Sequence, residues 1–173
     1  MELIKAKSND FTVVRDFYYQ LIDEMQGLDY APKWQKGVYP SDELISNAIH
    51  NQELYMIKND NTCVAAMIMN HECNDGYSKV AWNVNGAKNE VNIIHALGIL
   101  PAFQGQGLAQ FMVKEAIQLS KQSNIKAIRL DVLGANIPAQ KLYTKIGFEY
   151  RDTISMFYED TGWTDFLLYE YVI

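Results

Sequence analysis

The sequence predicts an α/β or α+β fold built on one mixed sheet. Three observations lead there. Apolar residues three and four apart run through "FTVVRDFYYQLIDEM", strict alternation marks "AIRLDV", and segments of the two kinds interleave along the chain.

Leu3 and Ile4 make a short apolar start. Phe11, Val14, Phe17, Tyr18, Leu21, Ile22 and Met25 then form one helical stripe, with Ser8 or Asp10 as its cap and Gly27 at its close. "LDYAPKWQKGVYP" has no clear period, holds two prolines and a glycine, and keeps Tyr30, Trp34 and Tyr39, so it reads as a working loop. "SDELISNAIHN" is a second, short helix capped by Ser41, with Asp42 and Glu43 in its electropositive first turn. Leu54 to Lys58 and Thr62 to Met69 flank the turn "NDN" and predict a hairpin. "KVAWNV" and "EVNIIHALGI" read as further strands around the turn "NGAKN". Beyond Gly107, Leu108, Met112, Ala116 and Leu119 form one helical row beside Ala109, Val113 and Ile117, with Gln110, Lys114 and Gln118 on the wet side. In "AIRLDV", Ile128, Leu130 and Val132 share one face, Arg129 and Asp131 the other. "NIPAQKLYTKIGF" is a helix opened near Pro138 and closed by Gly147. "TISMFYE", the turn "DTG" and "DFLLYEYVI" make a terminal hairpin, whose outer edge is open to pairing in a homodimer.

A chain of 173 residues at 49% hydrophobic content sustains one core, so a single domain over residues 1–173 is expected. The formal charge of −6, without any Lys/Arg cluster, argues against nucleic acid or an anionic membrane as the partner. "MELIKAKSND" is too polar for a signal peptide and no window approaches a membrane span, so a cytoplasmic protein acting on a small ligand is expected. Cys63 lies in an apolar run and Cys73 in a polar loop, neither with metal spacing, which predicts two reduced thiols and no metal. His50 and His71 read as surface residues.

The most informative stretch is "LGILPAFQGQGLAQFMV", Leu97 to Val113. Pro101 stops a strand, and Gly105 and Gly107 strip the side chains from a turn that runs straight into a helix. The N–H groups of that first helical turn are thereby open to a pyrophosphate or another anion, with Gln104 adding amide donors alongside. A P-loop is excluded, because Gly-x-x-x-x-Gly-Lys-Ser/Thr is absent. A dinucleotide turn has its paired glycines and, in Asp131, an acid near the place of a ribose ligand. Gln110 stands at its third glycine position, however, and "PAFQ" separates strand from glycines. A tight connection with no ligand also fits the glycine pair alone.

"QGQGLA" at 104–109 resembles the Arg/Gln-x-x-Gly-x-Gly/Ala signature of the Gcn5-related N-acetyltransferases (GNAT). "IIHALGILPAF" resembles that family's fourth strand and its exit. "RLDVLGANIPAQKLYTKIGFEY" resembles the following strand and helix, with Asn-x-x-Ala-x-x-Leu-Tyr-x-x-x-Gly-Phe in place. The likeness covers about residues 91–150.

The resemblance implies a mostly antiparallel mixed sheet flanked by helices, with splayed fourth and fifth strands that admit the pantetheine arm of acetyl-CoA. Leu97 and Ile99 would pair with that arm through their backbones, Gln104, Gly105, Gln106, Gly107, Leu108 and Ala109 would surround the pyrophosphate, and Asn136 would lie beside the arm or cap its helix. Direct acetyl transfer to an amine needs an oxyanion donor, for which the strand amide near Ala96 or Leu97 is placed, an acid and a base. Tyr143 matches the family's tyrosine near the thioester sulfur, as general acid or as packing. His95 shares a strand face with Val91 and Ile93, the face of the catalytic glutamate in some members. Glu90 lies one residue off that glutamate's register, where Val91 stands. Tyr30, Trp34, Tyr39 and Trp82 are the candidates for gripping the amine acceptor, a small molecule or a peptide, with Trp163 within possible reach. The implied activity is acetyl-CoA-dependent N-acetyltransfer; a non-catalytic acyl-CoA-binding or sensing module fits the same residues.

Overall fold

The computed structural model describes residues 2–173. It contains strands β1 (Ile4–Lys5), β2 (Leu54–Asn59), β3 (Thr62–Asn70), β4 (Val91–Ile99), β5 (Ala127–Leu133), β6 (Glu149–Tyr158) and β7 (Gly162–Val172). Its helices are α1 (Phe11–Met25), α2 (Asp42–His50), α3 (Leu108–Gln122) and α4 (Ile137–Ile146). The strands form one sheet in the order β1-β2-β3-β4-β5-β7-β6, antiparallel except for the parallel β4–β5 pair. This is the mixed, mostly antiparallel α/β architecture that the interleaved periodicities predict.

Alternation divides each strand between two cores. Met67, Ile94, Ile128, Leu130 and Val132 pack under Met112, Val113 and Ala116 of α3 and Tyr143 of α4. On the opposite face, Met56, Ala66 and Ile68 meet Val14, Phe17, Tyr18 and Leu21 of α1 and Ile45 of α2. Ser41 caps α2 by accepting the Leu44 N–H at 3.1 Å. Asp10 precedes α1 but does not cap it. Its carboxylate accepts the Lys7 N–H and pairs with Lys58 Nζ at 2.7 Å, tying the helix start to β2.

One expected strand does not form. "KVAWNV" follows a short 3-10 turn at Asp75–Lys79 and then runs irregularly. Its polar backbone groups find partners other than a ladder: Asn83 N–H donates to Glu170 Oε2 at 2.7 Å, and Val84 O accepts from Arg129 Nη2 at 2.6 Å. Trp82 Nε1 donates back to Tyr77 O, curling the segment over the sheet.

Two irregularities shape the middle of the sheet. β4 and β5 pair only at Val91↔Ala127, Asn92↔Ile128 and Ile93↔Arg129, then part, so the rest of that β4 edge has no strand beside it. Against β3, Gly98 pairs with Ala66 and His95 with Ile68, which leaves Ala96 and Leu97 opposite Met67 alone. This β-bulge puts Ala96 at φ 49°, and the buried Tyr18 hydroxyl pins it by donating to Ala96 O at 2.9 Å. Removing that phenol would strand a buried carbonyl, at about 1–3 kcal/mol. Gly98 lets α1 approach, since a Cβ there would collide with Leu21 Cδ2.

Candidate active site

Where β4 and β5 part, a cavity of about 510 Å³ opens between them. One end runs along the β4 edge to the start of α3. There Gly105 and Gly107 adopt φ 74° and 82°, and a Cβ on either would meet nothing within 4 Å. No side chain caps α3, and its first intrahelical-type bond runs from Phe111 N to Gly107 O. The N–H groups of Leu108 and Ala109 therefore face outward without intrahelical acceptors, at the positive end of a 15-residue helix. The amide of Gln104 is already used, with Nε2 donating to Ile99 O at 3.0 Å, and that of exposed Gln106 donates to Ala102 O at 3.2 Å. The site thus offers an anion backbone N–H groups, and the two glutamines brace the turn.

The middle of the cavity holds titratable side chains. Tyr143 packs its ring on Phe148 and Tyr169, yet its hydroxyl has no protein partner among the described residues and lines the cavity. Burial, and then the nearby Asp131 charge, raise its pKa, so it stays a proton donor at neutral pH. Asn136 caps α4 by accepting the Ala139 N–H at 3.2 Å while lining the same wall.

Asp131 projects from β5 on the face away from α3. Its Oδ2 accepts the hydroxyls of Tyr77 and Tyr158, each at 2.9 Å, and its Oδ1 takes no protein donor among the described residues. Burial raises its pKa, against the lowering effect of the two phenols, and the Asp160 charge adds to the rise.

The wall opposite is aromatic. Tyr30, Trp34 and Tyr39 all line it, with Trp34 and Tyr39 edge to face at 5.8 Å. Gln35 Nε2 donates to Asp160 O at 2.7 Å, tying their loop to the β6–β7 turn across the mouth.

The Acetyltransferase (GNAT) family model matches residues 18–148 of the chain. The chain belongs to the GNAT family. A GNAT acetyltransferase structure from Streptococcus agalactiae superposes with a TM-score of 0.79, covering 99% of this chain and 95% of that one at 18% identity, a likeness of fold. Two Bacillus subtilis proteins named as putative acetyltransferases are similar in sequence. The first, a ribosomal protein bS18-alanine N-acetyltransferase, is 32% identical over 66 residues, which span 38% of this chain and 44% of that protein. The second, a phosphinothricin acetyltransferase, is 28% identical over 151 residues, spanning 86% of this chain and 83% of its own.

Within this GNAT fold the sequence candidates separate. Leu97, Ile99, Gln104, Gly105, Gly107, Leu108, Ala109, Asn136, Tyr143, His95, Tyr30, Trp34 and Tyr39 come together at the one cavity. Glu90 does not: it precedes β4, pairs with Lys126 Nζ at 2.7 Å and accepts the Ala87 N–H. Trp82 also lies elsewhere, beneath the guanidinium of Arg129 at 4.2 Å, and Trp163 stands 73% exposed against Phe157. His95 lines the cavity, but its Nε2 faces Glu72 O at 2.9 Å and Asn70 Oδ1 at 3.0 Å. A carbonyl only accepts, so Nε2 carries the proton and Nδ1 is the bare nitrogen. Burial lowers its pKa to about 4, leaving a weak base. His71 is half-buried, with Nδ1 at 2.8 Å from Val91 O.

Tyr158 and Asp160 are absent from the sequence candidates, and Asp131 enters there only as the ribose acid of the dinucleotide reading. Asp131 was visible as the polar face of an alternating strand, but the two phenols that hold it come from an irregular segment and a distant hairpin. No local spacing joins a 3-10 turn at Asp75–Lys79 to β6.

Proposed function

We propose that the protein transfers an acetyl group from acetyl-CoA to a primary amine, with Asp131 as the proton acceptor and Tyr143 as the proton donor. The observation that carries this is the free Tyr143 hydroxyl and the free Asp131 oxygen opening into one cavity, whose far end is an uncapped helix start. Family membership supports acetyl transfer; the acceptor reading rests on the carboxylate.

The fit to acetyl-CoA rests on the bare glycine turn, which leaves room for a pyrophosphate, and on the unpaired β4 edge, which suits an amide-bearing arm. Acetyl-CoA supplies a thioester carbonyl. Asp131 draws in the ammonium and takes one proton from it, giving the neutral nucleophile. The backbone of Ala96 already meets the Tyr39 hydroxyl, so the neighbouring bulge amide of Leu97 would be the donor to the negative charge that grows on the carbonyl oxygen. As the N–C bond forms and the C–S bond breaks, Tyr143 gives its phenol proton to the sulfur, and the second amine proton, passed on through water, restores the phenol. The proton on Asp131 returns to solvent. His95 stays neutral, and this role passes from His95 and Glu90 to Asp131.

Thermal stabilisation by acetyl-CoA and CoA, but not by NAD, tests the cofactor end, since a ligand of the native state raises stability by RT ln(1 + [L]/Kd). Thiol release with an amine tests turnover. Tyr143→Phe should keep the stabilisation and lose roughly 100-fold or more in kcat. Equal thiol release by the variant would remove the acid role, and stabilisation without any turnover would favour the non-catalytic binding module.

A further inference from the structure

The acceptor end of the cavity is electrostatically one-sided. Its lining includes Asp131 and Asp160 and, among the described residues, not a single lysine or arginine. Asp160 lies at the turn between β6 and β7, half-buried, with no ion-pair partner among the described residues. Asp131 reaches the cavity from β5 near Tyr143, and Asp160 lines it from the β6–β7 turn, close enough to feel the Asp131 charge, with the Asp160 and Thr161 backbone N–H groups on its carboxylate. The Gln35 bond to the Asp160 carbonyl ties the loop of Trp34 and Tyr39 to that turn, and the Asp160 charge is felt at the Tyr39 hydroxyl. Aromatic faces and carboxylates both favour cations, and neither offers anything to an anion.

Resting on the acetyl-transfer reading above, we infer that the acceptor is an aliphatic diamine or polyamine without a carboxylate. Its reacting ammonium meets Asp131 and its second ammonium meets Asp160, with the methylene chain along Trp34 and Tyr39. A free amino acid, or an amine carrying a phosphinate as well, would bring an anion into a cavity holding two carboxylates and no cation to receive it. Desolvation raises the pKa of both carboxyls, and the neighbouring Asp160 raises that of Asp131 further, so each gains by pairing with a cation.

Three amines on a five-carbon chain isolate the charge: n-pentylamine with one cation, cadaverine with two, and lysine with two cations and a carboxylate. With the full chain and saturating acetyl-CoA, thiol release should give cadaverine a kcat/KM about fivefold or more above pentylamine and about tenfold or more above lysine. Asp160→Asn should bring the cadaverine-to-pentylamine ratio within about twofold, because the second ammonium loses its partner. Lysine or phosphinothricin turned over as well as cadaverine would overturn the inference, as would preference for a peptide with an N-terminal alanine. Stabilisation by acetyl-CoA with turnover of none of these amines would overturn it alone; absence of that stabilisation would remove the underlying acetyl-transfer reading.

Discussion

Replacing Asp131 by Asn removes one charge from the middle of the cavity while keeping shape and an acceptor oxygen. In the native protein Oδ2 holds the Tyr77 and Tyr158 hydroxyls at 2.9 Å, and Asn Oδ1 can hold the same two. The folded pKa of Asp131 lies above its ordinary 3.8, chiefly through burial, so the ionised form opposes folding at neutral pH. Its removal should leave Tm at pH 7 equal to or above that of the native protein, and the difference should vanish on acidification below the ordinary carboxyl range. Activity should move the other way. A lost general base lowers kcat about 10²- to 10⁴-fold, or roughly 3–5 kcal/mol of barrier. Thiol release against pH separates base from mere binder: the native profile should fall on its acid side as Asp131 protonates, and the variant should lack that limb. A kcat within threefold of native, with the acid limb intact, would refute the role given to Asp131.

Gly107→Ala places a side chain at φ 82° and a methyl in open space over the helix start; it should cost roughly 1–2 kcal/mol of stability and weaken acetyl-CoA stabilisation about tenfold or more. Equal stabilisation would move the anion elsewhere. His95 stays unprotonated in the fold down to about pH 4 while the unfolded chain binds its proton near 6.5, so stability should fall by about 3 kcal/mol as pH drops through that window. His95→Gln should flatten that part of the Tm-against-pH curve. Glu170→Ala leaves half-buried Arg129 without its 3.0 Å partner and frees Asn83 N–H, and should cost about 3–5 kcal/mol, a Tm fall on the order of 6–20 °C. Faster amide exchange confined to residues near 80–87 would accompany it, and an unchanged Tm would contradict the clamp.

The parts of this fold that were readable in the sequence are those whose signal is local. The α1 stripe, the Ser41 cap, the alternation of β5 and the glycine turn each depend on residues within a few positions of one another, and each forms as expected. "KVAWNV" failed because its apolar residues alternate as in a strand while their backbone partners, Glu170 and Arg129, lie 87 and 45 residues away. Glu90 stands away from the cavity for a related reason. A 3-10 turn at Lys88–Glu90 ends the loop just before β4, and Lys126 then draws the carboxylate outward. Tyr30, Trp34 and Tyr39 could be picked out as a group because aromatic residues in an aperiodic loop must find a surface to cover. Asp131 shows the limit of pattern: alternation placed it off the α3 core but could not say that Tyr77 and Tyr158 would converge on it.

The two ends of the cavity are built differently, and the difference bears on what can vary. The end proposed for acetyl-CoA is backbone: a glycine turn, the first amides of α3 and an unladdered strand edge, with Gln104 and Gln106 turned inward as braces. Backbone donors survive most substitutions, so that end is insulated from changes in side-chain chemistry. The end proposed for the acceptor is made of side chains from four separate segments, namely the α1–α2 loop, β5, β6 and the β6–β7 turn. Its charge can therefore be rewritten residue by residue without disturbing the splay. One linkage crosses between the halves: Tyr18 of α1 holds Ala96 in the bulge, and the same helix packs Leu21 against Gly98 beneath the aromatic loop. A change in the α1–α2 loop that shifts α1 would reach the bulge through that phenol. The proposed acceptor end and the proposed oxyanion donor are thus mechanically joined through the bulge, by Tyr18 and by the contact of the Tyr39 hydroxyl with the Ala96 backbone.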